Sequence, residues 1–193
     1  MQWLILGLVI FLGTHSIGIF APRWRDRRLA SLGEKRWKGL ISLLSIAGFV
    51  LLCYGFAAAR ATATTLYVSP TWVRHVAALL MLPVFPLLFA AYLPGRIRNA
   101  LKHPMLVAVK LWAMAHLLAN GRSVDLLLFG SLLAWAVLDR ISWKRRPPQV
   151  LQTAPARPWN DSLAVALGLA AYGIFVLWAH VRLFGVAPLG VSM

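Results

Sequence analysis

Six long apolar runs, separated by short polar or basic stretches, dominate this sequence of 193 residues. A helix needs about 20 apolar residues to cross about 30 Å of hydrocarbon, and fewer when its neighbours bury it. The runs approach that length and occupy residues 3–22, 39–59, 72–92, 104–120, 124–141 and 163–184. Helices satisfy their own backbone hydrogen bonds in lipid, and no alternation typical of a β-barrel is present. The sequence therefore predicts an all-α fold, a single polytopic membrane domain (1–193) built as a bundle of about six transmembrane helices.

The composition excludes a soluble globular domain. Apolar residues make up 60% of the chain and charged residues only 13%, about half the charged fraction usual in soluble proteins. The formal net charge is +15, but the bases lie in short runs between the apolar stretches. This distribution indicates contact with membrane lipid, whose anionic headgroups attract Lys and Arg, and we expect no nucleic-acid partner.

The basic residues are distributed unevenly between the two sides of the predicted bundle. Fifteen lie in, or at the edge of, the connections after the first, third and fifth runs: Arg23, Arg25, Arg27, Arg28, Lys35, Arg36, Lys38, Arg96, Arg98, Lys102, Arg140, Lys144, Arg145, Arg146 and Arg157. The opposite side has four, namely Arg60, Arg74, Arg122 and Arg182. Because short cytoplasmic loops carry the excess of Lys and Arg, both termini are expected on the non-cytoplasmic side.

Two connections have a predicted form of their own. The fourth and fifth runs are joined by the short turn 121–123, which favours a tight helical hairpin. The Pro-rich stretch 146–158 is predicted to be an extended cytoplasmic linker. Nothing in the sequence fixes the oligomeric state.

Carboxylates and thiols are scarce, which removes several classes of site. The five acids, all outside the centres of the runs, are Asp26, Glu34, Asp125, Asp139 and Asp161. Carboxylate di-iron sites, proton relays built on Asp or Glu, and Asp-rich magnesium sites are therefore not expected. Cys53 is the single cysteine, so the chain has no CxxC zinc motif and no CxxCH motif for covalent haem attachment.

Histidines are the remaining candidates for chemistry, and two of the five lie inside apolar runs. His15 and His116 are these two, whereas His75 and His180 lie near span ends and His103 directly precedes a proline at the start of the fourth run. An ionisable side chain within a span is costly and is a functional candidate for that reason. The span-end residues are expected to pack or hydrogen-bond at the interface.

Small and aromatic residues accompany the two span histidines. Gly18 follows His15 by three residues, while Trp112 and Asn120 lie four residues to either side of His116 on one helical face. A histidine with space and an aromatic ring beside it suits a flat apolar macrocycle such as haem, with two imidazoles as iron ligands. Alternatively, both histidines hydrogen-bond across helices, as polar residues in membrane bundles often do.

Three segments of the chain carry a family resemblance. FLGTHS at 11–16, KHPM at 102–105 leading into LWAMAHLLANG at 111–121, and the ending from WAH at 178–180 to FGVAP at 184–188 are similar to motifs of NnrU-type proteins. The resemblance extends over nearly the whole chain. It implies a single integral membrane domain in the inner (cell) membrane of a bacterium.

The resemblance also implies a cofactor. Plant relatives of these proteins are 15-cis-zeta-carotene isomerases, which carry haem b between two histidines, and the implied ligands here are His15 and His116. The plant motif places a cysteine three residues before the second histidine, where this sequence has Ala113. Non-covalent haem b is therefore expected, without a cysteine-based ligand exchange.

Three functions remain open at the level of sequence. The first is a haem-dependent cis–trans isomerase acting on a polyene or carotenoid-like lipid. The second is a non-enzymatic haem protein of nitric-oxide metabolism or denitrification, acting as a sensor, electron carrier or assembly factor, since bacterial members of the family are associated with those processes. The third is an enzyme that binds a nucleotide cofactor at the cytoplasmic face, because His103-Pro104 resembles a motif of membrane methyltransferases and steroid-type reductases. Those enzymes usually have acidic residues near the motif, and here only Asp139-Arg140 corresponds to them.

Overall fold

The computed structural model describes residues 1–145 and 154–189. Within these ranges the chain forms helices and connections without a strand, and one isolated antiparallel bridge joins Thr65 and Arg122, which confirms the all-α prediction. The helices are α1 (Gln2–Phe20), α2 (Pro22–Leu32), α3 (Glu34–Arg60), α4 (Val73–Met81), α5 (Val84–Tyr92), α6 (Arg96–Leu101), α7 (Pro104–Ala119), α8 (Ser123–Trp143), α9 (Asn160–Ile174) and α10 (His180–Phe184). A π-helical segment, Phe175–Ala179, joins α9 to α10.

Four helical stretches in the described ranges are long and apolar enough to cross a membrane: Gln2–Phe20, Glu34–Arg60, Val73–Tyr92 and Asn160–Phe184. Helix α7 is shorter, because its 16 residues span about 24 Å at the α-helical rise. Helix α8 has 21 residues but carries Asp125, Asp139 and Arg140 within its bounds. The protein is thus a helical membrane protein with four helices of spanning length, and the predicted count of about six is not confirmed.

Two of the predicted runs are interrupted rather than continuous. The third divides into α4 and α5 at Leu82 and Pro83, where proline lacks the N–H that would continue the helix. The sixth contains the π-helical segment. Of the predicted linker 146–158, residues 146–153 lie outside the described residues.

The first of two compact units consists of Met1–Tyr67 and Arg122–Lys144, and it contains α1, α2, α3 and α8. Helices α1 and α3 touch backbone to backbone at Gly7, Gly48 and Gly55: a Cβ on Gly48 would lie 2.7 Å from the backbone nitrogen of Phe11. The other two glycines face the backbone of Leu52 and Leu4 in the same way. Small residues allow this approach, which replaces the hydrophobic effect as the source of helix association in lipid.

Helix α8 is joined to the end of α3 at its first turn. The backbone N–H of Arg122 donates to the carboxylate of Asp125 over 3.2 Å, which completes a capping box. Ser123 donates its N–H to the Thr64 carbonyl over 2.9 Å, and the Arg122 guanidinium donates to the Arg60 carbonyl over 3.2 Å. These bonds hold α8, and with it Trp135, in the first unit.

The second unit consists of Val68–Gly121 and Arg145–Met193. Its core includes Val84 and Leu87 of α5 together with Ala108 of α7. Gly168 of α9 lies against the backbone of Pro86, where a side chain would not fit. The predicted hairpin helices α7 and α8 are joined by residues 120–122, and they belong to different units.

Candidate cofactor-binding histidines

His15 lies on α1 with an exposed ring, and its Nδ1 is 2.7 Å from the carbonyl oxygen of Phe11, one helical turn earlier. A carbonyl oxygen only accepts hydrogen bonds, so this Nδ1 carries the hydrogen. Neutral imidazole has one N–H, and the Nε2 atom therefore keeps its lone pair. Metal-bound histidines in proteins commonly have this arrangement, in which the hydrogen bond fixes the tautomer and the direction of the ring.

Two aromatic rings flank His15. The Phe11 ring centroid is 4.4 Å away, and the Trp135 ring of α8 lies edge-on at 5.9 Å with an interplanar angle of 87°. The indole Nε1 of Trp135 is buried and has no hydrogen-bond partner among the described residues. A buried donor without an acceptor is rare in a native protein, and water, an ion or a bound molecule can accept from it. The surroundings of His15 therefore fit a ligand that brings an oxygen.

His116 lies near the end of α7 and repeats the pattern of His15. Its Nδ1 is 2.8 Å from the Trp112 carbonyl oxygen, and the Trp112 ring centroid is 5.2 Å from its own. The same reasoning assigns the hydrogen to Nδ1 and leaves Nε2 as a potential metal ligand. The ring is half-buried.

Asn120 closes α7 behind His116. Its side-chain amide donates to the His116 carbonyl over 3.0 Å, and the Asn120 backbone N–H bonds the same oxygen over 2.9 Å. Asn120 thus fixes the backbone from which the imidazole projects. Trp112 and Asn120 share the second unit with His116, whereas Gly18 lies on α1, one turn after His15 in the first unit.

His180 has the same bonding of Nδ1 as the two predicted ligands. Its Nδ1 is 2.7 Å from the Val186 carbonyl oxygen, and its ring centroid is 5.7 Å from that of Phe175 and 5.0 Å from that of Phe184. It directly follows the π-helical segment, a deviation that is frequent at functional sites. His75 is exposed on α4, and His103 is the residue that precedes Pro104 at the start of α7.

Sequence reasoning identified Trp112 because it lies on the helical face of His116. Phe11 was detectable by the same spacing, since it also precedes its histidine by four residues. Trp135 had no such signal, because it lies on a helix distant in sequence and only the folded first unit brings it to His15. Within the described ranges, no three side chains of His, Cys, Asp or Glu come close enough together to hold a metal ion.

The chain matches one protein-family model over nearly its whole length. The family model described as NnrU protein matches residues 3–188. The chain belongs to the NnrU family. The match includes His15, His116 and His180 together with the motifs around them, which confirms the family resemblance of the sequence. No curated protein and no solved structure matches this NnrU-family chain.

Proposed function

We propose that this NnrU-family protein binds haem b non-covalently and that the Nε2 atoms of His15 and His116 would hold its iron. One observation carries the proposal. In both residues Nδ1 bonds the carbonyl of the aromatic residue four positions earlier, over 2.7 Å in His15 and 2.8 Å in His116. The bond presents Nε2 as a neutral donor of fixed direction, which is the form of histidine that binds haem iron.

The residues around the two histidines have distinct roles in this proposal. Phe11 and Trp112 orient the imidazoles through their carbonyls and pack against them with their rings. Asn120 holds the end of α7, Gly18 leaves space beside α1, and the orphaned Trp135 indole N–H donates to an oxygen of the bound group. When bound, haem b supplies an iron that changes its redox state and that polarises a conjugated ligand.

The proposed activity is cis–trans isomerisation of a polyene or carotenoid-like lipid. The ring of His15 is exposed on a helix long and apolar enough to lie in the bilayer, so a hydrophobic molecule reaches it from the lipid phase. The chain contributes an apolar, carboxylate-poor surrounding there. A non-enzymatic haem protein of nitric-oxide metabolism would use the same ligands without a polyene substrate.

Absorption spectra of the full-length protein in detergent, oxidised and then reduced with dithionite, test haem binding. We expect a Soret band that shifts or disappears in His15→Ala and in His116→Ala and is unchanged in His75→Ala, the control on exposed α4. Added imidazole should restore the band in His15→Gly, which distinguishes a lost ligand from a lost fold. A protein that stays colourless after addition of haem rejects the proposal, and unchanged spectra in both alanine variants reject the ligand assignment.

A carotenoid-producing host separates the isomerase from the non-enzymatic alternative. Expression of the protein, but not of its His15→Ala/His116→Ala variant, should change the ratio of carotenoid isomers in the host membrane. An unchanged ratio together with nitric-oxide binding to the reduced wild type supports the non-enzymatic function instead.

We also propose that the protein lies in the bacterial inner membrane with both termini on the non-cytoplasmic side. The uneven distribution of basic residues supports this orientation, because fifteen of the twenty Lys and Arg fall in connections of one side. Terminal fusions to alkaline phosphatase should be active and terminal fusions to green fluorescent protein dark. The opposite pattern reverses the orientation.

A further inference from the structure

A cavity of about 380 Å³ lies in the second unit between residues 94–99 and 156–158. Its polar lining comes from Arg96, Asn99 and Arg157, and the rest is proline, glycine and alanine. The volume is at the small end of ligand pockets, enough for a headgroup or a small anion. None of these residues takes part in the proposed haem site.

Buried hydrogen bonds hold the two walls of the cavity together. Asn160, with only 2% of its surface exposed, donates to the Pro94 carbonyl over 2.8 Å and to the Pro155 carbonyl over 3.0 Å. The Ala154 N–H donates to the Tyr92 carbonyl over 3.1 Å. One buried amide therefore bridges both segments, so the cavity is a fixed feature of the unit.

The charges that line the cavity are not neutralised by the protein. Among the described residues, neither the Arg96 nor the Arg157 guanidinium forms an ion pair with a carboxylate. The nearby Asp161 carboxylate accepts instead the backbone N–H groups of Arg96 and Ile97, over 2.7 and 3.1 Å. Arg96, Asn99 and Arg157 thus line a common space that is open to the surface, and none of the ion pairs of the described residues involves them.

The surroundings of Arg157 indicate the depth of the cavity. Its guanidinium carbon lies 5.2 Å from the ring centroid of Trp159, which is 54% exposed at the start of α9. Tryptophan is enriched at the headgroup level of membranes, and both connections that form the cavity belong to the side with the excess of basic residues. Both features are typical of the headgroup level, where phospholipid phosphates are found.

We propose that the cavity binds a phosphate group through Arg96, Arg157 and Asn99, either the phosphate of an anionic phospholipid headgroup or free phosphate. Guanidinium groups offer paired N–H donors that match phosphate oxygens, and the bonds are charge-assisted. The site is independent of the proposed haem ligands, so either proposal stands without the other.

Binding measurements on the full-length protein in detergent test the site and its two ligand sources. The probes are inorganic phosphate, short-chain phosphatidylglycerol and, as a lipid without net charge, short-chain phosphatidylcholine. In Arg96→Gln and in Arg157→Gln we expect the affinity for phosphatidylglycerol to fall about tenfold, the effect of one lost charge-assisted bond. Arg98→Gln is the matched control, because it removes the same charge from α6 at a position that does not line the cavity.

The pattern of losses identifies the ligand. If the two variants lose affinity for phosphatidylglycerol alone, the cavity binds a lipid headgroup. If they lose affinity for inorganic phosphate alone, it binds the free ion. If they lose affinity for both, it binds phosphate from either source. The proposal is overturned when Arg96→Gln and Arg157→Gln bind as the wild type does, or when Arg98→Gln loses as much affinity as they do.

Discussion

The Nδ1 atom of His116 lies 2.8 Å from the carbonyl oxygen of Trp112, one turn earlier on the same helix. His15 bonds Phe11 in the same way in the other compact unit. Each unit therefore contains an imidazole whose Nδ1 bonds the carbonyl of the aromatic residue four positions earlier. A helix carbonyl that already accepts a backbone N–H has a second lone pair. The histidine bonds there in both units, and at Phe11 the Thr14 hydroxyl donates to the same oxygen over 2.8 Å.

Removal of the Trp135 indole N–H should have different effects with and without cofactor. In Trp135→Phe we expect haem affinity to fall about tenfold, because a donor to the bound group is lost. The haem-free protein should lose little stability. A buried unsatisfied donor costs about 1–3 kcal/mol, and removing this cost offsets the packing lost when the indole is replaced by the smaller phenyl ring. Haem titration and thermal unfolding measure the two effects. Trp3→Phe on α1 is the control, and equal affinity in both variants contradicts the role of Trp135.

Haem b should stabilise the protein against unfolding. At a free haem concentration one hundred times the dissociation constant, the gain is about 2.7 kcal/mol when only the folded state binds. Thermal unfolding in detergent, followed by circular dichroism with and without haem, measures it. The double variant His15→Ala/His116→Ala should show no gain. A gain as large as that of the wild type would place haem elsewhere in the protein.

A methyl group at the contact of α1 and α3 should destabilise the first unit. Gly55→Ala places a Cβ against the Leu4 backbone, and overpacking of this kind costs about 1–3 kcal/mol. Gly39 lies on the same helix with no atom of another segment within 4 Å of its Cβ position. Gly39→Ala should therefore stabilise by about 0.5–1 kcal/mol through helix propensity. The two thermal midpoints should move in opposite directions, and a Gly55→Ala midpoint at or above the wild type contradicts the close packing.

Loss of the Asp161 carboxylate should weaken the start of α6. Asp161→Ala leaves the N–H groups of Arg96 and Ile97 without their acceptor, at a cost of about 1 kcal/mol, as for other lost caps. Hydrogen exchange of those two amides should accelerate. Asp26→Ala is the control: it removes the same charge from an exposed position on α2, where the Asp26 carboxylate pairs with Arg25 at 3.8 Å and with no other cation among the described residues. Unchanged exchange at Arg96 and Ile97 would show that the carboxylate does not cap the helix.

The helix positions were predictable where hydropathy and proline act together. The apolar runs lie within a few residues of α1, α3, α7 and α8, and Pro104 begins α7 at the first-turn position that proline favours. Helix α2 was not predicted, because Pro22–Leu32 is polar and basic and a search for apolar runs treats it as a connection. The break at Pro83 was missed for the opposite reason, since an apolar run does not distinguish a continuous helix from two short ones.

For the candidate site, the sequence predicted only contacts between residues of the same helix. The spacing of four residues identifies Trp112 from His116, and it applies equally to Phe11 and His15. Contacts between helices could be identified only from the folded structure. The Trp135 ring lies beside His15, and Gly48 lies close to Phe11, but no sequence motif links these segments. The glycines do not have the GxxxG spacing of a helix-pair motif, so the α1–α3 contact had no sequence signal of that kind.

Each compact unit is assembled from two separate stretches of chain, because α8 joins α1 and α3 only after residues 68–121 have intervened. During translation, residues 68–121 of the second unit are synthesised before α8, the last helix of the first unit. During insertion into the bilayer, α1 and α3 must therefore pair before α8 is present. A gene fragment cut after codon 121 encodes neither unit whole, so the protein is to be expressed and engineered as one piece.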